Sequence, residues 1–352
     1  MGRMLATALH RHLAAGGAVL AEDRGVLLPR HFGDPAAEYT ALRERAALVD
    51  LGFRTLVRAA GEDRAAFLNG MLTNDVAGLV PGGGCPALLL TIQGRVTADV
   101  RVAALGDALL LDVDVRARDD LVAALEKLII ADDVTLEAPA EPVALLGLEG
   151  PTAAALLGAR AAALAPWAHA EVAVAGVGVR VVQASEVRGP GFVLHVPAAA
   201  AVDVWTALVV AGARPCGMEA LEGRRVEVGV PRIGLDMDGS TLALEVPVDD
   251  AISQTKGCYL GQEVVARGTA RGHVNRRLVG LVFDGPPPPA GTPLARDGKP
   301  VGHVTSVARA FGAGSAAGMG FVRREHWDPG TVLAAPHGRA AAVARVARWP
   351  LA

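Results

Sequence analysis

Apolar and polar side chains first alternate regularly from Phe53 to Ala59, which predicts a strand with one buried face. Gly61-Glu62-Asp63 then opens a short helix expected to turn Ala66, Phe67 and Met71 inward. Turn-forming residues from Asn74 to Gly84 lead into three strand-like runs, Ala87 to Thr91, Val96 to Ala103 and Ala108 to Val113. Between Asp114 and Asp132 the period lengthens to that of a helix, with Leu121, Leu125 and Leu128 on one face. Antiparallel strands with a covering helix make an α+β unit.

Pro139-Ala140-Glu141-Pro142 marks a boundary. Beyond it, Val143 to Leu148 reads as strand and Gly150 to Leu157 as helix. Val172 to Val174 and Val177 to Val182 read as a hairpin, Gly191 to Val196 as strand and Ala198 to Val210 as helix, which together make a second α+β unit. A helical stretch from Gly217 to Val228 and an irregular segment to Ser253 follow. Four successive prolines after Gly285 form a stiff insertion among short β runs, Leu278 to Phe283, Gly302 to Ala308, Met319 to Arg323 and Ala341 to Val346. These predict a small C-terminal barrel or sandwich. The expected segments are residues 1–140, 141–212, 213–273 and 274–352, the third returning to the lobe begun by the first.

At 352 residues the chain exceeds the size of one core, so more than one domain is expected. Half of it is hydrophobic but only 4% is aromatic, which leaves little surface for stacking bases or sugars. A net charge of −3 gives no electrostatic case for strong nucleic-acid binding. Arg267, Arg271, His273, Arg276 and Arg277 still form a local basic run, either a weak site for direct tRNA binding or a charged strand edge. Cys85, Cys216 and Cys258 make neither a disulfide framework nor a metal pair, which points to a reducing cytoplasm and no metal site. The N-terminal stretch is broken by His10, Arg11 and His12 and does not read as a signal peptide, and no membrane span is expected.

Three clusters can carry chemistry. Lys256-Gly257-Cys258-Tyr259-Leu260-Gly261-Gln262-Glu263 crowds a thiol, a cation, an amide and a carboxylate into one turn. Its cysteine is either a ligand-facing thiol, favoured as thiolate by Lys256, or an inward-packed one. In the second cluster, the turn at Gly94 leads to Asp99, a carboxylate on a strand. Asp99 either accepts from the N–H groups of a heterocycle or shuttles a proton, or else it pairs with Arg101 or another arginine. The third runs from Leu221 to Gly234, where Arg225, oriented by Glu227, either grips an acidic ligand tail or locks Asp99. The alternative there is a helix end with solvated pairs such as Glu222 and Arg225.

With these clusters in view the chain resembles the YgfZ family, folate-binding proteins that share the fold of the glycine-cleavage T-protein. Lys256 to Arg267, KGCYLGQEVVAR, closely matches that family's signature. Glu38-Tyr39 through Val49-Asp50-Leu51, Phe67-Leu68 with Thr73-Asn74-Asp75, the Gly94 to Asp99 turn and Arg225 to Gly234 occur in the expected order. The resemblance implies an α+β fold of two α/β lobes and a C-terminal β-barrel around a central folate channel. It implies tetrahydrofolate as ligand, held by Asp99, Arg225, Glu227, Tyr259 and Gln262, with Asp99, Lys256 and Cys258 as the residues of any catalysis. The T-protein ends a TGEDGFE-like stretch with a glutamate that contacts folate, whereas this chain has Val193 there. The role implied is therefore an accessory one: support of iron–sulfur cluster assembly or repair, an indirect effect on tRNA modification, and assembly factors or cluster enzymes as partners. The alternative is a folate-dependent aminomethyltransferase or demethylase.

Overall fold

A computed structural model describes residues 4–271, 274–309, 311, 316–337 and 340–351, without the side chains of 269–271, 337 and 340–341. The chain forms two compact units. The first takes the chain up to Leu90, Thr97–Leu221 and Asp250–Leu260; the second takes Thr91–Val96, Glu222–Asp249 and the chain from Gly261 on.

In the first unit, the strands Gly84–Leu90, Val96–Ala104, Leu109–Asp114, Arg54–Ala60 and Thr135–Glu137 neighbour one another in that order in a five-stranded sheet. A six-stranded sheet runs His169–Val174, Val177–Val182, Gly191–Pro197, Val143–Glu149, Ala47–Asp50 and Arg214–Cys216. Leu48, Leu146, Leu148 and Leu194 of this second sheet pack against Val204, Trp205 and Leu208 of the helix Ala201–Val210. The opposite face of Gly191–Pro197 carries Val193 and His195, because successive strand side chains alternate.

The predicted helix carrying Leu121 and Leu125 spans Arg118–Glu126 and buries both. Leu128 lies past its end and is 39% exposed, so the three-leucine face is one residue too long. The helix Arg64–Met71 buries Phe67 and Leu68, while Ala66 faces solvent. No helix among the described residues is long and apolar enough to cross a membrane.

The choice between barrel and sandwich is settled by closure. Arg276–Asp284, Ala316–Arg323, Lys299–Ala308, Pro293–Arg296, Val332–His337 and Ala340–Ala347 hydrogen-bond around a complete ring. Leu281, Phe283, Val304, Val322 and Leu333 fill it. Two of these strands, Pro293–Arg296 and Val332–His337, escape the sequence pattern because each carries a proline, which weakens the strand signal.

Within the same unit, Asp236 ties the irregular 222–249 segment to the barrel. Its buried carboxylate accepts from Arg225 Nη1 at 2.8 Å, Arg232 N at 3.1 Å, Thr305 Oγ1 at 2.6 Å and Ser306 Oγ at 2.7 Å. Removing it takes one of the two carboxylates from the buried Arg225 and the acceptor from two hydroxyls. Asp236→Ala is expected to lower stability by about 3–5 kcal/mol in urea denaturation; an unchanged midpoint would contradict this anchoring role.

Candidate functional site

The first half of the KGCYLGQE segment is a helix cap. The helix Arg64–Met71 ends with carbonyls that have no partner inside the helix. Lys256 Nζ donates to Asn69 O, to Leu72 O at 2.8 Å and to Asn74 O at 2.8 Å, while Leu260 N donates to Gly70 O at 3.0 Å. Upstream, Thr73 Oγ1 donates to Ala251 O at 2.6 Å, Ser253 N to Thr73 O at 3.0 Å and Asn74 Nδ2 to Asp250 O at 3.0 Å. The Thr73-Asn74-Asp75 turn and the 250–260 segment are therefore laced together, with a cation at a helix C-terminus, where the helix dipole favours it.

This changes the expected role of Lys256. All three of its ammonium donors go to backbone carbonyls, so none is offered to the thiol of Cys258. Burial pushes its pKa down to about 8, while the three carbonyl acceptors favour the charged form. Tyr259 covers the ammonium with its buried ring, 5.3 Å from Nζ to the centroid, and burial raises its phenol pKa. Cys258 stays exposed on the outer side of the turn. Gln262 opens the helix Gln262–Arg271, which belongs to the second unit.

Asp99 and Arg101 stand on one face of the strand Val96–Ala104, whose Ala98, Val100 and Val102 fill the other. A run of alternating charges begins at Asp99. Its Oδ2 accepts from Arg54 Nη1 at 3.0 Å, and Arg54 Nε donates to Asp112 Oδ1 at 2.6 Å. Asp112 Oδ2 lies 3.6 Å from Arg101 Nη1, which donates to Glu186 at 2.5 Å. Glu186 N and Ser185 Oγ in turn donate to the fully buried Glu149, at 2.9 and 2.6 Å. Burial pushes the Glu149 carboxyl up to about 8, against those two hydrogen bonds.

Of the expected pairings of Asp99, the structure makes the one with a neighbouring arginine, and that arginine is Arg54. The pairing does not exhaust the carboxylate. Asp99 keeps a quarter of its side chain accessible, while its Oδ1 is itself hidden from solvent and has no hydrogen-bond partner. A cavity beside this run is lined by Arg101, Asp112, Trp167, Val193 and His195. Burial lowers the His195 pKa to about 3, so its ring is neutral, and its Nδ1 also lacks a partner.

Arg225 cannot grip a ligand. Its five donor positions are taken: Nε and Nη2 by Glu222 at 2.7 and 2.6 Å, Nη2 also by Ser306 at 2.9 Å, and Nη1 by Val230 O at 3.0 Å and Asp236 at 2.8 Å. It is 2% exposed and holds the second unit together. Glu227 pairs with Arg224 at 3.0 Å.

The basic run is likewise engaged. Arg267 pairs with Glu263 at 3.2 Å; Arg276 pairs with Glu245 at 3.0 Å and stacks on Phe321; Arg277 stacks on Trp327. His273 and the Arg271 side chain lie outside the described residues.

A two-unit α+β protein with a closed six-stranded barrel and a partly open carboxylate in its first unit is thus defined. Residues 9–256 match the GCVT N-terminal domain and residues 276–351 the glycine cleavage T-protein C-terminal barrel domain, so the chain belongs to the glycine cleavage T-protein family. An aminomethyltransferase of Rubrobacter xylanophilus is 30% identical over 92% of this chain and 88% of its own. One of Geobacillus kaustophilus is 32% identical over 85% of each. The fold matches the crystal structure of glycine cleavage system aminomethyltransferase T from Bartonella henselae, with a TM-score of 0.89, 22% identity, and 99% and 98% of the two chains covered.

Aminomethyltransferases of this family use tetrahydrofolate. The expected accessory role in iron–sulfur cluster assembly, with its cluster-enzyme partners, is overturned by these relatives, which are named for aminomethyl transfer. The substitution at Val193 weighed too heavily in that expectation. Its side chain is buried in the cavity wall, and a different carboxylate, Asp99, keeps the unpartnered oxygen.

Arg54, Asp112, Glu186, Glu149 and His195 were missed in the sequence. The available signal was polarity at strand positions inside apolar runs, as in Leu109-Leu110-Leu111-Asp112.

Two outcomes are expected. Lys256→Met leaves three carbonyls without their donor and should cost about 2–4 kcal/mol in urea unfolding; a smaller cost than a surface lysine shows would contradict the capping role. For Glu149, below its ordinary pKa of 4.5 both folded and unfolded chains hold the proton. From there to about 8 only the folded chain holds it, so stability falls as pH rises, by at most about 1.4 kcal/mol per unit. Subtracting the stability–pH curve of Glu149→Gln from that of the parent should isolate this slope; parallel curves would refute it.

Proposed function

We propose that this chain is a folate-dependent aminomethyltransferase, and that within its family it belongs to the YgfZ-like branch marked by Lys256 to Arg267. The observation that carries the catalytic reading is Asp99: a carboxylate anchored by Arg54 through one oxygen, with a quarter of its side chain accessible. A carboxylate only accepts hydrogen bonds, and a pterin ring is rich in N–H donors, so the residues present fit a reduced folate. Asp99, Asp112 and Glu186 alternate with the guanidiniums of Arg54 and Arg101 along this run. Asp99 at its accessible end is a carboxylate and favours a donor over an anion.

Bound tetrahydrofolate supplies the nitrogens that take up the one-carbon unit. This chain's own part is to orient the ring through Asp99 and to hold that carboxylate still. The neutral ring of His195 and the buried Val193 line the cavity beside Arg101 and Asp112 without adding charge to it. Three free cysteines suit a reducing cytoplasm.

The test is turnover with tetrahydrofolate and an aminomethylated lipoyl carrier. The parent protein should form methylenetetrahydrofolate, and Asp99→Ala should lose about 100-fold or more in rate while remaining folded. No product from the parent would remove the function; full activity in the variant would remove Asp99 from it.

A further inference from the structure

Arg54 is buried with 4% of its side chain exposed, yet it touches Asp99, a carboxylate that keeps a quarter of its side chain accessible. Its guanidinium is planar, so two of its bonds determine where the third points. Nε donates to Asp112 Oδ1 at 2.6 Å and Nη2 to the Asp112 backbone carbonyl at 2.9 Å. Both contacts lie on a single residue of the neighbouring strand, whose register against Arg54–Ala60 places Asp112 opposite Leu56. With the fork held there, Nη1 is aimed at Asp99 Oδ2, 3.0 Å away. Arg101, opposite Asp112 on the other side, adds a second cation beside Asp112 and is itself held by Glu186.

We infer that Arg54 is the positioning residue of the site: clamped by Asp112, it holds Asp99 by Oδ2 and so fixes the direction in which this partly accessible carboxylate meets the donor edge of a reduced folate. This rests on the proposed function. Arg54 touches no ligand, and its effect passes entirely through Asp99. A lysine in its place keeps the charge but not the fork, since one ammonium on a flexible stem cannot reproduce three directed bonds from a plane. Loss of the fixed direction, not of charge, is what the substitution tests.

The experiment is a double-mutant cycle on the full chain, reading tetrahydrofolate affinity by calorimetry for the parent, Arg54→Lys, Asp99→Asn and the pair, with thermal unfolding of each as control. Arg54→Lys should weaken binding roughly tenfold and leave the fold intact. In the Asp99→Asn background the same change should cost almost nothing, because the residue through which it acts has been altered. If Arg54→Lys does not fold, Arg54→Met with Asp112→Leu, which replaces both charges by apolar groups, enters the same cycle with the same two outcomes. Parent-like affinity in Arg54→Lys, or losses that simply add, would overturn the inference and leave the folate reading standing. A parent protein that does not bind tetrahydrofolate would overturn both.

Discussion

Opposite charges enclosed between strands must be fully paired, and this constraint shapes the first unit. Arg54, Arg101, Asp112 and Glu186 are each mostly hidden from water, where an unpaired ion would cost several kcal/mol. They tolerate burial because strand register sets donor against acceptor along the run. At its inner end the run stops at Glu149, where burial favours the protonated acid. At its outer end it stops at Asp99, the member with one oxygen paired and one without a partner. The feature that makes this place chemically useful is thus the terminus of a network whose other members are committed to one another.

A similar economy holds in the second unit, with the opposite result. Asp236 and Arg225 satisfy each other and their neighbours so completely that no donor of Arg225 remains. Two buried arginines, Arg54 and Arg225, look alike in a sequence; one serves a partly open carboxylate and the other serves the fold. The KGCYLGQE segment falls on the structural side as well. Its lysine and Leu260 amide close the end of the helix Arg64–Met71, which explains why a cation and a glycine-rich turn occur together there.

Much of the architecture was legible in the residues. The strands around Val96 to Val113 appear in their alternation, and the barrel appears in its short, glycine-punctuated runs. Family resemblance supplied the overall fold, which the T-protein domains and the Bartonella structure bear out. The site was less legible. Asp99 stood out because a carboxylate on a strand needs a reason, but Arg54 did not, since its partner Asp112 is 58 residues away and only register joins them. Arg225 was misread for the same reason: Asp236 and Ser306 reach it through folding, not through spacing. Lys256 looked like an activator of its near neighbour Cys258, when its acceptors lie more than 180 residues earlier. Reading function from one substituted glutamate, at Val193, misdirected the role as well.

Asp99 is where the folate contact is proposed, and the most direct measurement is a crystal structure of the protein soaked with tetrahydrofolate. It should show a pterin N–H within hydrogen-bond distance of the Asp99 carboxylate, with Oδ2 still held by Arg54. A folate seated away from Asp99 would contradict it.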